Sequence, residues 1–158
     1  MIYHAGRPLL KFDCRDVRVL DEMFRSTESP AADDLRNLSR FLAEWSVTML
    51  TGPVPNMGGS LLRHRKVIGN VGIMGDGFNC LFHDWHWGYF RLREGREDDG
   101  RRLLTIDYDV IANGRLLRRL RDKIKRTDDP DVMLGKFYMR MGRGDFRFLS
   151  YFAMTKVL

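Results

Sequence analysis

Apolar positions recur at two spacings along this chain, and the change from one to the other falls just after Ala43. Val17, Leu20 and Phe24 stand at i, i+3 and i+7 behind Asp16, the spacing of one helical face, and Ser26-Thr27-Glu28-Ser29 closes that segment with turn chemistry. A second helix is predicted next. Ser29 is placed to cap it, Pro30 takes its first position, and Ala31, Leu35, Leu38 and Leu42 share a stripe with Phe41 beside them. Residues 1–15, with Leu9, Leu10 and Phe12, read as an irregular lead-in that covers an edge or end of the core.

From residue 44 onward the period becomes two. Trp45, Val47 and Met49 alternate with Glu44, Ser46 and Thr48 until Gly52-Pro53 and Pro55-Asn56 break the run. Residues 61–68 predict another strand, with His64 between Arg63 and Arg65. In 103–110, Leu104, Ile106, Tyr108 and Val110 fall on one face and Thr105, Asp107 and Asp109 on the other. Strands over 132–141 and 146–157 are joined by the turn residues Gly142-Arg143-Gly144-Asp145, a hairpin signal, with Phe146, Phe148, Phe152 and Met154 on one face of the last strand.

The run from Phe78 to Phe90 holds two of the three tryptophans and two of the four histidines and contains no proline. Its aromatic content predicts a strand. One face would carry Leu81, His83, Trp85, Trp87 and Tyr89, and the other Phe82, Asp84, His86, Gly88 and Phe90.

These pieces predict one domain over residues 1–158, with two helices in 1–43 followed by β structure in 44–158. The fold class is mainly β, an antiparallel barrel of about eight to ten strands that removes exposed edges; an open antiparallel α+β sheet covered by helices is the alternative. The helix-to-strand passage Leu42-Ala43-Glu44-Trp45-Ser46-Val47, followed by the terminal hairpin Leu134-Gly135-Lys136-Phe137 to Phe148-Leu149-Ser150-Tyr151-Phe152, resembles the lipocalin-type barrels. The resemblance covers residues 42–157 in order and is loose in motif. Lipocalins carry Gly-x-Trp on the first strand, whereas position 43 here is Ala. The resemblance implies a small-molecule cavity. Nitrobindin-like barrels of that broader group hold haem through a late histidine, and no histidine follows His86, so no cofactor is expected.

The net charge of +6 changes the picture only locally. Arg115, Arg118, Arg119, Arg121, Lys123, Lys125 and Arg126 stand against Asp122 alone, which accounts for the whole excess. Leu116, Leu117, Leu120 and Ile124 fall in one helical arc, so a short amphipathic helix over 114–126 is expected, either a solvated lid over a barrel end or a surface for a polyanion or anionic membrane. Nucleic acid is disfavoured by the lack of interleaved aromatics. Cys14 and Cys80 fit neither a disulfide framework nor a zinc site, and no three ligands cluster for a metal. No apolar run approaches the roughly 20 residues that span a bilayer, and the N-terminal order is not that of a secretory signal, so a cytoplasmic protein is expected.

Three functions follow from these residues. The first is binding of a small apolar or aromatic ligand by Trp45, Trp85, Trp87, Tyr108, Phe137, Phe148 and Phe152. The second is an isomerase-, hydratase- or cyclase-type enzyme in which His83 or His86, oriented by Asp84 or Tyr89, moves a proton. The third is a basic module docking on an acidic partner through residues 115–126. The plainer reading of the aromatic run is a packed core.

Overall fold

The structure, a computed structural model, describes residues 14–36, 42–52, 64–81 and 85–157, together with the backbone of 3–4 and 7–8. It is mainly β. Two short strands, β1 (Tyr3–His4) and β2 (Arg7–Pro8), pair with each other apart from the main sheet. Two helices follow, α1 (Val17–Ser26) and α2 (Ala32–Arg36). Eight antiparallel strands then make a closed barrel: β3 (Ala43–Met49), β4 (Arg65–Ile68), β5 (Gly77–Leu81), β6 (Trp85–Arg96), β7 (Arg102–Asp107), β8 (Leu120–Arg126), β9 (Val132–Arg140) and β10 (Phe146–Lys156). Each pairs with the next in sequence, and β10 returns to pair with β3 from Phe152 against Met49 to Lys156 against Trp45. Closure leaves no sheet edge, so the alternative of an open sheet is set aside. Among the described residues no helix is long and apolar enough to cross a membrane.

Alternation sends one side chain in two into the lumen. Trp45, Ile68, Phe90, Leu92, Leu104, Ile106, Ile124, Phe152 and Met154 form a continuous buried cluster there, and Ala32 and Leu35 of α2 pack onto it from one end. Helix α1 instead lies on the outer surface of β9 and β10. Its Leu20 and Phe24 are buried against Leu50, Leu134, Tyr151 and Ala153, and its cap is the Asp16 carboxylate accepting from the Arg18 N–H at 2.9 Å. Asp21 on the same helix accepts from Lys136 at 2.7 Å and from the Tyr151 hydroxyl, bonds that hold its carboxyl below the usual range. The Ser29 hydroxyl does not cap α2; it donates to the Ile124 carbonyl at 2.6 Å and ties the linker to β8.

Three expectations are corrected. The run Phe78–Phe90 is not one strand but two, β5 and β6, folded back so that Leu81 faces Trp85 and Cys80 faces His86. The segment 114–126 is not a helix. A single 3-10 turn at Leu117–Arg119 leads directly into β8, whose Leu120, Asp122 and Ile124 turn inward. The leucine spacing fits both periods, and pairing with β7 and β9 decides for the strand. Finally, Phe148 and Phe152 do not share a face, because the register shifts between Phe148 and Ser150. Phe148 turns outward, edge-on to Tyr138 and Tyr151, while Phe152 stays in the lumen. Of the predicted stripe beyond Arg36, Leu38 and Phe41 lie outside the described residues, and Leu42 is not helical but exposed, just before β3.

Gly135 on β9 makes room for that lumen-facing ring, since a Cβ there would collide with the Phe152 phenyl. Gly135→Ala is therefore expected to lower stability by about 1–3 kcal/mol through overpacking, and Phe152→Leu in the same chain to recover part of it. Urea unfolding of the two variants checks this.

Candidate functional site

Strands β4 and β8 stand four places apart in a ring of eight, on opposite walls of the barrel. Lys66 of β4 and Asp122 of β8 both point inward, each 2 % exposed, and the Lys66 ammonium meets Asp122 Oδ2 at 3.0 Å. The ion pair thus crosses the lumen. Lys66 also donates to Asn79 Oδ1 of β5 at 2.9 Å and to the hydroxyl of Tyr108, just beyond β7. Its three N–H bonds are then used. The Tyr108 hydroxyl donates to Asp122 Oδ2 at 2.9 Å, and Asn79 Nδ2 donates to the Gly88 carbonyl at 3.1 Å and to Tyr108 Oη at 3.3 Å. The cation is also framed by the rings of Phe90, Tyr108 and Phe152, at 5.1 to 5.7 Å from their centroids. Burial, followed by the Asp122 charge, holds the Tyr108 phenol well above its ordinary range, so it stays a donor.

This polar layer separates two unlike halves. Toward α2, Phe90, Leu104, Ile106, Ile124 and Met154 are all fully buried. Toward the other end, Met49, Phe137 and Met139 pack against the core but are only partly buried. Here His64, just before β4, meets Trp87 of β6 with ring centroids 5.4 Å apart. His64 Nε2 lies 2.9 Å from Asn79 Oδ1. Burial, and after it the neighbouring Lys66 charge, pushes the imidazole down from 6.5 to about 4, so it is neutral at physiological pH. Trp87 Nε1 is hidden from water and has no hydrogen-bond partner. Trp87 reaches the lumen because the β5–β6 register shifts at Gly88, whose φ of 58° suits glycine and whose missing Cβ leaves space for Asn79 Nδ2.

The residues singled out from the sequence are dispersed. Trp87, Tyr108, Phe137 and Phe152 face the lumen, Trp87 and Phe137 on the His64 side. Trp85, on the same face as Trp87, is at the rim and 62 % exposed. Trp45 lies at the α2 end, 1 % exposed with Nε1 unpartnered, and lines a cavity of about 300 Å³ with Pro30, Leu35, Met133 and the Asp34–Arg126 ion pair. Phe148 is outside. His86 is exposed on the outer face, stacked on Phe78 at 4.1 Å, and Tyr89 is beside them, its backbone N–H donating to Asn113 Oδ1. The outward turn of Tyr89 corrects the face expected for it, which the extra residue at Gly88 reverses. His83 and Asp84 lie outside the described residues.

The charged groups of 115–126 are largely engaged. Arg118 pairs with Asp109 at 2.7 Å, Lys125 with Glu97, and Arg126 with Asp34 at 2.8 Å. Arg121 stacks on Phe146, and Lys123 sits over Tyr138. Asp107, on the face with Thr105 and Asp109, is 5 % exposed and held by Arg93 at 2.8 Å.

Sequence reasoning missed Lys66, Asn79 and Asp122 and gave His64 no role. The signals were an inward-parity lysine two residues from His64 and a lone acid in a basic run. Comparisons with family models, with curated proteins and with solved structures found no match to this chain.

Asp122→Asn, which leaves Lys66 buried without its counter-charge, is expected to cost about 3–5 kcal/mol, whereas Lys66→Met with Asp122→Leu recovers most of the loss. Denaturant unfolding measures both. The depressed pKa of His64 has its own signature: the unfolded chain binds a proton that the folded one refuses, so stability is full above pH 6.5 and falls as pH drops toward 4. Between neutral pH and pH about 4.5, His64→Gln should lose about 2 kcal/mol less than the parent chain.

Proposed function

We propose that this barrel binds a small, largely apolar or aromatic molecule in the half of its lumen bounded by His64, Trp87, Phe137 and Met139. The contrast in packing carries the reading. Phe90, Leu104, Ile106, Ile124 and Met154 on the α2 side of the Lys66–Asp122 pair are fully buried, whereas Met49, Phe137 and Met139 on the His64 side are half-buried. An eight-stranded barrel has an interior that its own side chains just fill or that takes one small ligand. Aromatic and thioether walls with a few convergent polar atoms are what such sites use for recognition. The likeness of residues 42–157 to lipocalin-type barrels supports the same reading, with the polar tie as a floor.

Acid–base catalysis by His86 finds less support, because that imidazole stacks on the outer face, away from the lumen.

Titration with the neutral fluorophore N-phenyl-naphthylamine tests the proposal. Saturable one-site binding is expected, weakened at least tenfold by Met139→Asp or Phe137→Asp and unchanged by Trp45→Phe at the other end. Binding indifferent to both rim substitutions, or abolished by the change at Trp45, overturns it.

A further inference from the structure

We infer that the end of the barrel away from α2 docks on an anionic lipid surface, the turns 108–119 and 141–145 setting Ile111, Leu116 and Met141 into the interface while Arg115 and Arg143 meet the headgroup charge. The inference is independent of whether a small molecule enters the lumen.

Antiparallel order brings these turns together. Turn 108–119 joins β7 to β8 and turn 141–145 joins β9 to β10, each at the end of its strands opposite α2. The Arg119 guanidinium donates to the Gly142 carbonyl at 3.2 Å and ties one turn to the other. Turn 108–119 is also anchored from beneath. Val110 is buried, and the buried Asn113 amide donates to the Tyr89 and Tyr108 carbonyls at 2.6 and 2.7 Å and accepts from the Tyr89 N–H at 2.9 Å. Above those anchors Ile111 is 91 % exposed and Leu116 64 %, with Met141 and Trp85 exposed at the same end. Single surface aliphatics are ordinary, but here they sit on the tips of adjoining, pinned turns and belong to none of the buried clusters.

Charge is polarised along the same axis. The turns 108–119 and 141–145 carry four arginines and two aspartates, and Asp109 is already matched by Arg118 at 2.7 Å. Arg115 and Arg143 are exposed and pair with no carboxylate among the described residues. The turns at the α2 end, 69–76, 97–101 and 127–131, carry seven carboxylates and one arginine. An anionic surface therefore attracts one end and repels the other, so the barrel approaches it upright. Ile73, 89 % exposed, stands on the repelled end and supplies a contrast within the same molecule. The basic segment is divided by the same axis: Arg115, Arg118 and Arg119 stay at the tip, while Lys123, Lys125 and Arg126 follow β8 toward the acidic end.

Lipid suits this combination better than a polyanion in water. The phosphates of a nucleic acid are met by arginines alone and gain nothing from an isoleucine or a leucine. A bilayer interface takes both, the aliphatic tips among the acyl chains and the guanidinium groups at headgroup level on their apolar stems.

Co-sedimentation of the full chain with vesicles tests this. Binding to equimolar phosphatidylcholine and phosphatidylserine is expected, about tenfold or more weaker on pure phosphatidylcholine and weakened by salt. Ile111→Ser with Leu116→Ser, and separately Arg115→Gln with Arg143→Gln, should each weaken it about tenfold or more, and Ile73→Ser with Met74→Ser should leave it unchanged. All of these positions are exposed, so each variant should unfold in urea as the parent does. Equal binding to neutral and anionic vesicles, binding to neither, or loss with the Ile73 pair overturns the inference. Binding that survives the loss of Ile111 and Leu116 but not of the arginines makes the end a plain polyanion site, and retention of RNA by the parent chain would agree; this too overturns it. So does a parent chain that sediments as an oligomer dispersed by either apolar pair, which assigns the end to head-to-tail contact between copies.

Discussion

One ionic contact across the lumen organises this barrel. Lys66 and Asp122 project from opposite walls and meet at 3.0 Å where water is excluded, and desolvating two charges is costly enough that the pair persists only if every remaining proton and lone pair around it is matched. The surroundings meet that requirement closely. Tyr108 and Asn79 take the other two lysine protons, and Asn79 spends its own protons on Gly88 and Tyr108. A polar layer of this kind stabilises less than a well-packed apolar one of equal volume; its effect is to fix the register of β4, β5, β7 and β8 relative to one another.

The two ends of the barrel differ on either side of this layer. On the α2 side, Phe152 lies on Gly135 and Phe90 on Gly77, the helix adds Ala32 and Leu35, and a cavity of about 300 Å³ remains beside Trp45. On the His64 side the lumen-facing side chains are only partly buried, and the layer holds the His64 ring through Asn79. For the proposed ligand site, a rigid floor and a partly exposed wall would offer preorganised polar atoms beside adaptable methionines.

Much of this architecture could be read from residue order. Period-two alternation in Trp45–Met49 and Leu104–Val110, and the turn residues Gly142–Asp145, located β3, β7 and the β9–β10 hairpin and favoured closure, because so many amphipathic strands have no other way to bury one face. The errors share a cause. Alternation is counted along the chain, so one additional residue inverts every face beyond it, and register shifts at Gly88 and next to Leu149 did this to Tyr89 and Phe148. The basic segment misled for a related reason: Leu120 and Ile124 are four apart, a spacing shared by helix and strand, and only pairing to β7 and β9 distinguishes them. Lys66 and Asp122 escaped notice because a charged residue at inward parity reads as a flaw in the pattern until its partner 56 positions away is known.

The cross-lumen contact can be observed directly in solution. In an isotopically labelled sample at neutral pH, the Lys66 ammonium should give a resolved, slowly exchanging proton–nitrogen signal with scalar coupling across the hydrogen bond to the Asp122 carboxylate carbon. An ammonium exchanging freely with water, without that coupling, would mean that the walls are not joined and that the proposed site has no fixed floor.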